Sequence, residues 1–337
     1  MKILTALLLS VLLFSCKTEE EKPLDLASFN LILDTERQID SVRIVDIAQS
    51  AYNFFPYRDT IKVDFENGLN DMYNVWIYTP EGEIRKQYWF KGTEIIVKAR
   101  LAEELEIDTV INSNLYYQHL QDSERLQALI EQKDTAAIEK FFLERIEANL
   151  DNPYSNVLAG MYTNQHQNDK EKIKELFELL KGQDSVAIDH WLSPLSRLEN
   201  ILSVSELDIS KYSLQELGGQ NTSLNFEANK TYLLDFWFMA CKPCIRDHKK
   251  FDEDSSFLEA NNVEFIGISI DSDYDAWNTF LEEKQYAWAN YRQLEGEDSP
   301  TKDLAIWAFP TYVLLENGSE ITARFNTYDD IKAHFEK

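Results

Sequence analysis

The sequence is short of several residue types, and each shortage excludes a class of protein. Its 337 residues include 3 Cys, 10 Gly and 8 Pro, too few for a disulfide-rich scaffold or a disordered low-complexity chain. Basic residues are also scarce, with 33 Lys and Arg against 59 Asp and Glu and a formal net charge of -26. Such a charge repels phosphate backbones, which excludes nucleic acid as a partner. The 44% of hydrophobic residues and the length of the chain predict two or three folded domains.

A long hydrophobic run is also missing. The N-terminal segment MKILTALLLSVLLFSC has an apolar stretch over residues 3–14, shorter than the roughly 20 residues that a membrane-spanning helix needs. We interpret residues 1–16 as a signal peptide whose last four residues resemble a bacterial lipobox, which implies that Cys16 carries lipid. The alternative is an ordinary cleaved signal with a chance cysteine. Residues 17–25 are polar and acidic and are predicted to form a tether. The expected location is therefore the cell envelope, lipid-anchored to the membrane, on the periplasmic side or at the cell surface.

The two remaining cysteines stand close together in the segment FWFMACKPCIRDH, residues 236–248. Three interpretations are open for Cys241 and Cys244: a redox centre, part of a metal site, or a structural disulfide. A disulfide with this spacing closes a very small ring and constrains the unfolded chain little, which disfavours a structural role.

The chain before this segment divides into two parts. Residues 26–105 contain short β-rich runs separated by turn signals, which predicts an antiparallel β domain. Its aromatic residues are interpreted as core and cross-strand packing; they are Trp76, Tyr78, Tyr88, Trp89 and Phe90.

Residues 106–204 show the helical period instead, with helices predicted over residues 124–132, 135–150 and 169–182. His119, His166 and His190 are scattered through this segment without the spacing of metal ligands, and we interpret them as surface or core residues.

From residue 205 to residue 337 the pattern changes again. KTYLLDFWF and VEFIGISID are apolar strands, each followed by a helical pattern, over residues 243–260 and 273–284. PTYVLLENGSEITARF predicts a hairpin with its turn at Asn317 and Gly318, and a short helix follows it. The order β-α-β-α-β-β-α predicts an α/β domain with helices on both faces of a sheet.

A metal site at the cysteine pair lacks ligands. Cys241, Cys244 and His248 provide three, whereas a closed structural zinc site needs four, and no second cysteine pair follows. We interpret His248 as an exposed helix residue and expect no metal.

Redox chemistry suits the pair better. It stands between a predicted strand and a predicted helix, and the unpaired N–H groups of a helix N-terminus stabilise a thiolate. Lys242 adds a positive charge between the sulfurs, and Pro243 is suited to the first helical turn. Cys241, the first and more accessible sulfur, is predicted to be the nucleophile. Cys244 is predicted to resolve the mixed disulfide.

The motifs LLDFWFMACKPC and AFPTYVLLENG resemble the thioredoxin superfamily, in particular the membrane-tethered thiol-disulfide oxidoreductases of the TlpA/ResA type. The resemblance covers roughly Leu207 to Lys337 and implies a thioredoxin-like fold. It also implies that the redox-active disulfide of Cys241 and Cys244 is the only redox group, with no other cofactor.

The same resemblance assigns further site residues. Asp235 matches the buried acid of the family, six positions before the first cysteine, and is expected to have a raised pKa and to relay a proton to Cys244. Trp237 matches the strand tryptophan. Pro310 matches the cis-proline that faces the disulfide, so backbone groups of Phe309 and Thr311 are expected to pair with a substrate peptide.

Two residues depart from the family pattern. Ala240 stands where a tryptophan usually precedes the first cysteine, and Phe309 is larger than the usual residue before the cis-proline. Both imply a reshaped substrate groove, lined also by Trp237 and Lys242. A peroxidase of the peroxiredoxin type is disfavoured because position 238 is Phe where those proteins have Thr.

The expected function is thiol-disulfide exchange, with reduction of disulfides in envelope proteins as the favoured direction and another thiol protein as the electron donor. The alternative is a binding lipoprotein that holds a partner through its N-terminal region, with redox activity incidental.

Overall fold

The computed structural model describes residues 27–46, 53–56, 60–65, 68–254, 256–294 and 298–336. The predicted signal peptide, Cys16 and the tether lie outside these residues. The chain forms two compact units, residues 1–117 and residues 118–337, each of which is described by itself. No helix among the described residues is long and apolar enough to cross a membrane.

The first unit is a β structure whose described strands form two four-stranded sheets, in the orders β4-β1-β7-β8 and β3-β2-β5-β6. The strands are β1 (Ala27–Asp34), β2 (Ser41–Asp46), β3 (Asn53–Pro56), β4 (Thr60–Phe65), β5 (Leu69–Thr79), β6 (Gly82–Gly92), β7 (Glu94–Leu101) and β8 (Leu105–Ile111). The predicted antiparallel β domain is confirmed, with one exception that the sequence did not indicate: β1 runs parallel to β7.

Alternation along the strands explains the core of this unit. In β1, Ala27, Phe29 and Leu31 are buried while their neighbours are more exposed, so one face of the strand packs inward. The aromatic residues pack as predicted: Phe90 is buried, and Trp76 lies between the cross-strand guanidinium groups of Arg43 and Arg85, 4.7 Å and 4.6 Å from its ring centroid.

The second unit begins with helices. They are α1 (Asn114–Gln132), α2 (Thr135–Glu147), α3 (Tyr154–His166), α4 (Lys170–Leu180), α5 (Ser185–Ile188) and α6 (Leu195–Ser203). The α1 helix continues from the last residues of the first unit. Asp134 and Asp169 accept hydrogen bonds from the backbone N–H groups of Ala137 and Lys172, and so cap α2 and α4. The three predicted helical stretches are confirmed.

The rest of the second unit is an α/β domain with the predicted element order and additional strands. Its strands are β9 (Leu214–Glu216), β10 (Asn221–Thr222), β11 (Thr231–Trp237), β12 (Val263–Ser269), β13 (Ala289–Gln293), β14 (Thr311–Glu316) and β15 (Glu320–Phe325). Its helices are α7 (Lys242–Glu253), α8 (Ser256–Ala260), α9 (Tyr274–Lys284), α10 (Pro300–Asp303) and α11 (Tyr328–Phe335), with a 3₁₀ turn at Ile209–Lys211.

Within the described residues these strands form one sheet in the order β10-β9-β13-β12-β11-β14-β15. β11, β12 and β13 are parallel, and β14 is antiparallel to β11. This is the predicted thioredoxin-like fold, in which β11 is a central strand and its carboxyl end leads directly into α7.

Both faces of β11 are buried, which explains its nearly continuous apolar sequence. Leu234 and Phe236 belong to the core on one face. Leu233 and Trp237 belong to clusters on the opposite face, where α7 packs. Because side chains alternate along a strand, Asp235 projects toward the α7 face.

The helices of the second unit and its sheet are joined at the edge strand β15. The Asn168 side chain, just before α4, forms two hydrogen bonds with Arg324: its Nδ2 donates to the backbone carbonyl, and its Oδ1 accepts from the backbone N–H, both at 2.8 Å. Further along the strand, the N–H of Ile321 donates to the carbonyl of Ser205 at 2.8 Å. The edge of the sheet is therefore covered rather than open to another chain.

Candidate active site

The cysteine pair lies at the start of α7 and forms a disulfide with an S–S distance of 1.97 Å and a Cα–Cα distance of 5.3 Å. Cys241 is the N-cap residue, and its sulfur accepts a hydrogen bond from the backbone N–H of Cys244 at 3.2 Å. Pro243 lies in the first turn, as predicted. Cys241 is 4% exposed and Cys244 is 0% exposed, so the first sulfur is the more accessible of the two.

The loop between β11 and α7 is held by a residue that the sequence did not single out. The Oδ2 atom of Asp271 accepts hydrogen bonds from the Met239 N–H at 2.9 Å and from the Ser269 hydroxyl at 2.7 Å. The carbonyl of Asp271 accepts from Arg292 at 3.0 Å. Asp271 thus fixes the backbone two residues before Cys241. An Asp just after an apolar strand was the only sequence signal for it.

The disulfide packs in an apolar cluster with the buried side chains of Trp237, Trp277 and Leu281. Phe309 is partly buried against the same cluster, whereas Lys242 is exposed beside it. Helix N-termini in general stabilise thiolates and apolar surroundings disfavour them; Cys241 has the first kind of position and Cys244 the second.

Asp235 is 0% exposed and lies between Gly267 of β12 and Tyr312 of β14. Burial raises the pKa of its carboxyl group, whereas the neighbouring His248 acts to lower that pKa and the carboxylate of Asp247 acts to raise it. The Oδ1 atom of Asp235 has no hydrogen-bond partner among the described residues. The position and the direction of the shift agree with the expectation for Asp235.

The interpretation of His248 as an exposed residue is wrong. His248 is 0% exposed, and its Nε2 atom lies 2.6 Å from Oδ2 of Asp235. The physical reason is its place on α7: Cys244, His248 and Phe251 follow each other at intervals of four and three residues, so they share the face that packs on the sheet. That spacing was visible in the sequence and could have identified His248.

The other predicted site residues lie before and at the start of β14. The Phe309–Pro310 peptide bond is cis, as predicted. Thr311 is buried, and its hydroxyl donates to the Ala308 carbonyl at 2.7 Å. The Phe309 ring meets the Phe238 ring edge to face at a centroid distance of 5.5 Å.

An aromatic side chain is exposed in the loop just before Phe309. Trp307 is 71% exposed, and Ala240, which stands where the family has a tryptophan, is also exposed. Position 240 therefore lacks the tryptophan of the family, but the loop that leads to Pro310 has an exposed tryptophan, Trp307.

Among the described residues, no group of three or more His, Cys, Asp or Glu side chains is arranged to hold a metal ion. The three histidines of the helical segment contact aromatic rings instead: His119 meets Tyr154, His166 meets Tyr162, and His190 meets Trp191.

A family model matches the C-terminal part of the chain. Residues 208–332 match the model of the AhpC/TSA family. No curated protein matches the chain significantly.

Several solved structures are similar to the same part. The thioredoxin domain of a thiol-disulfide oxidoreductase from Bacteroides vulgatus is 23% identical, with a TM-score of 0.33, over 40% of this chain and 97% of that one. A thiol-disulfide oxidoreductase from Bacteroides fragilis is 26% identical, with a TM-score of 0.33, over 38% and 98%. StoA from Bacillus subtilis is 17% identical, with a TM-score of 0.30, over 36% and 93%. These structures match the same part of the chain as the family model, the part that contains Cys241 and Cys244.

Proposed function

We propose that this protein is a thiol-disulfide oxidoreductase that reduces or exchanges disulfides in other proteins through Cys241 and Cys244. One observation carries the proposal: Cys241 caps the N-terminus of α7 with its disulfide partner Cys244 in the first turn, and a buried carboxyl group, Asp235, lies on the strand before them. A purely structural disulfide needs neither the helix N-terminus nor a buried acid nearby.

In the reducing direction, the Cys241 thiolate attacks a substrate disulfide. A bond forms between Cys241 Sγ and one substrate sulfur, while the substrate S–S bond breaks and its other sulfur leaves as a thiolate. Cys244 then loses its proton and attacks Cys241 Sγ, which releases the second substrate thiolate and forms the enzyme disulfide. A second protein with a dithiol then returns two electrons to the enzyme disulfide, and its two protons balance the two thiolates that the substrate released.

Asp235 is the proposed acceptor for the proton that Cys244 loses. Its raised pKa brings the carboxyl group closer to neutrality, where it can both accept and return a proton. Oxidation in the opposite direction uses the same group as a proton donor. The reduction potential decides the direction, and we favour reduction.

The proposed substrate groove runs past the accessible Cys241. Its rim is formed by Lys242, Phe309, Pro310 and Thr311. Trp237, which the sequence predicted to line the groove, is 0% exposed and packs beneath the disulfide instead. The exposed Trp307 and the cluster of rings around Phe309 suit an apolar side chain near the substrate cysteine.

The proposed place of action is the cell envelope. The N-terminal sequence supports a lipid anchor at Cys16, on the periplasmic side or the cell surface. The proposed protein partners are disulfide-containing envelope proteins and an upstream thiol donor. The lipid anchors the protein to the membrane in this proposal, and no nucleic acid is involved. Apart from the redox-active disulfide, no cofactor is proposed.

The test is reduction of insulin disulfides by the full chain with dithiothreitol as the electron source. We expect the wild-type chain to accelerate insulin precipitation, Cys241→Ser to abolish the acceleration, and Cys244→Ser to trap a mixed disulfide at Cys241. An exposed serine control, Ser210→Ala, should keep full activity.

A wild-type chain no faster than the Cys241→Ser variant would remove the proposal. It would favour the alternative, in which the two N-terminal sheets hold a partner and the disulfide is incidental.

A further inference from the structure

Asp235 and His248 form a buried pair beside the disulfide. Both side chains are 0% exposed, and the Nε2 atom of His248 lies 2.6 Å from Oδ2 of Asp235. Charged side chains are rarely buried so completely unless they are paired, and a pair that is only structural is often no more stable than apolar residues of the same size. The presence of this buried pair in the active-site domain therefore indicates a chemical role.

The imidazole ring of His248 is enclosed by aromatic rings. Trp237, Tyr286 and Trp288 each meet it edge to face, at centroid distances of 4.9 Å, 4.9 Å and 5.5 Å. The Nδ1 atom of His248 has no hydrogen-bond partner among the described residues, and the same holds for Oδ1 of Asp235. In such surroundings a net negative charge on the pair is costly, which increases the tendency of the pair to take up a proton from a neighbouring group.

The pair is next to the resolving cysteine. His248 follows Cys244 by one helical turn on the same buried face of α7. Trp237 connects the two, because it contacts the His248 ring and belongs to the apolar cluster around Cys244.

Other titratable groups face the pair from each neighbouring element. Asp247 lies on α7, Tyr312 on β14, and Tyr286 between α9 and β13; Cys244 is the remaining group. The charge of Asp235 raises the pKa of both tyrosines further, after their burial, so neither tyrosine is an acid near neutral pH. Asp247 is engaged by the backbone N–H of Tyr328 at 2.9 Å. Asp235 and His248, which face each other at 2.6 Å, are therefore the groups that we consider for proton exchange with Cys244.

We propose that His248 is a positioning residue for the proton transfer, so that Asp235 and His248 accept and return the proton of Cys244 as one unit. The inference rests on the proposed disulfide exchange and adds to it a residue that the family resemblance did not supply.

The proton balance is as follows for the reducing direction. Before resolution the pair of Asp235 and His248 carries one net negative charge. Cys244 gives its proton to the pair, which becomes neutral, and the Cys244 sulfur attacks Cys241 Sγ as the substrate thiolate leaves. When the enzyme disulfide is reduced again, the neutral pair returns this proton to Cys244.

The test mixes the reduced full chain in a stopped-flow instrument with an aromatic disulfide that releases a coloured thiolate. The time course separates the two chemical steps. The first phase reports the attack of Cys241, and the second phase reports resolution by Cys244. If the first phase is absent in the wild type, the proposed function fails. If the first phase is present, the rate of the second phase tests the role of His248 separately.

We expect His248→Leu to slow the second phase about 10-fold at pH 7, because general acid–base steps contribute about 10²–10⁴-fold and Asp235 remains. Without its partner, Asp235 ionises only at higher pH, so the pH profile of this phase should shift upward. The first phase should stay within about 2-fold, since Cys241 is stabilised by the helix N-terminus. His334→Gln, an exposed histidine on α11, is the matched control and should leave both phases unchanged.

Two measurements exclude a structural role. His248→Gln keeps a polar side chain that can donate to Asp235 but cannot be protonated, so it should preserve the fold and still shift the pH profile. The double variant Asp235→Asn, His248→Leu should resolve no more slowly than the slower single variant, because groups that act as a unit are not additive. A wild-type pH profile in His248→Gln, or fully additive effects in the double variant, would overturn the inference.

Discussion

The two cysteines differ in their surroundings at the level of single residues. Cys241 caps α7 at the edge of the apolar cluster, whereas Cys244 is fully buried on the inward face of the helix. Helix N-terminal N–H groups lower the pKa of a thiol, and burial raises it. The asymmetry is thus a property of position, since both residues are chemically the same.

This difference predicts unequal reactivity. In the reduced full chain, iodoacetamide at pH 7 should alkylate Cys241 at least about 10-fold faster than Cys244, because the reaction needs an accessible thiolate. Mass spectrometry of partially labelled protein measures both rates in one sample, and the unfolded chain in denaturant provides the reference. Equal rates in the folded chain, or faster labelling of Cys244, would reverse the two roles.

Asp235 predicts a change of stability with pH. Its pKa is raised in the folded chain, chiefly by burial, so the folded state binds this proton more tightly than the unfolded state. The free energy of unfolding of the wild type should therefore fall as pH rises from about 4, the ordinary value of an Asp, through the raised pKa. Asp235→Asn lacks this titration, so its stability relative to the wild type should increase as the pH rises above about 4.

Urea unfolding at several pH values measures the difference. The same Asp235→Asn variant should resolve mixed disulfides more slowly, by about 10²-fold or less, because water can replace part of a general base. Greater stability with slower resolution would separate a chemical role of Asp235 from a structural one. A stability difference that stays constant with pH would contradict the burial argument.

At the scale of secondary-structure elements, the local sequence pattern predicted the strands, turns and helices that local interactions determine. The apolar runs of β11 and β12, the Asn317–Gly318 turn and the capped helices α2 and α4 all lie where the sequence placed them. The strand β13, ANYRQ, was missed because it is short and polar.

Long-range placement was the part that the sequence did not reveal. The parallel pairing of β1 with β7 depends on contacts between residues far apart in the chain, which leave no local pattern. The same holds for Asp271, whose role depends on a loop that the fold brings to it. The cysteine pair, Asp235 and Pro310 were predictable because a family pattern already encodes their spatial relation; His248 lies outside that pattern.

The junction between the helical segment and β15 predicts a measurable loss of stability. Asn168→Ala removes both hydrogen bonds to the backbone of the buried Arg324, which should lower the free energy of unfolding by about 1–2 kcal/mol. Asn225→Ala, an exposed asparagine of the same unit, is the control and should change it by less than about 0.5 kcal/mol. Thermal unfolding monitored by circular dichroism compares them, and equal melting temperatures would show that Asn168 does not hold the edge strand.

At the scale of the whole molecule, the net charge bears on how the protein could attach to a membrane. The net charge of -26 keeps the chain soluble but repels it from anionic lipid surfaces, so charge does not explain attachment to a membrane. The described residues contain no helix suited to span one. The proposed attachment is a covalent lipid.

Cys16 is the predicted site of that lipid. Cys16→Ser should abolish incorporation of labelled palmitate and move the protein from the membrane fraction to the soluble fraction, because stable anchoring needs covalently attached acyl chains. Insulin reduction by the purified variant should equal that of the wild type, since the cysteine pair and Asp235 all lie within residues 118–337. Cys241→Ser is the reciprocal control, which should keep the label and the membrane fraction but lose the activity. Palmitate incorporation that is unchanged in Cys16→Ser would show that Cys16 does not carry the lipid.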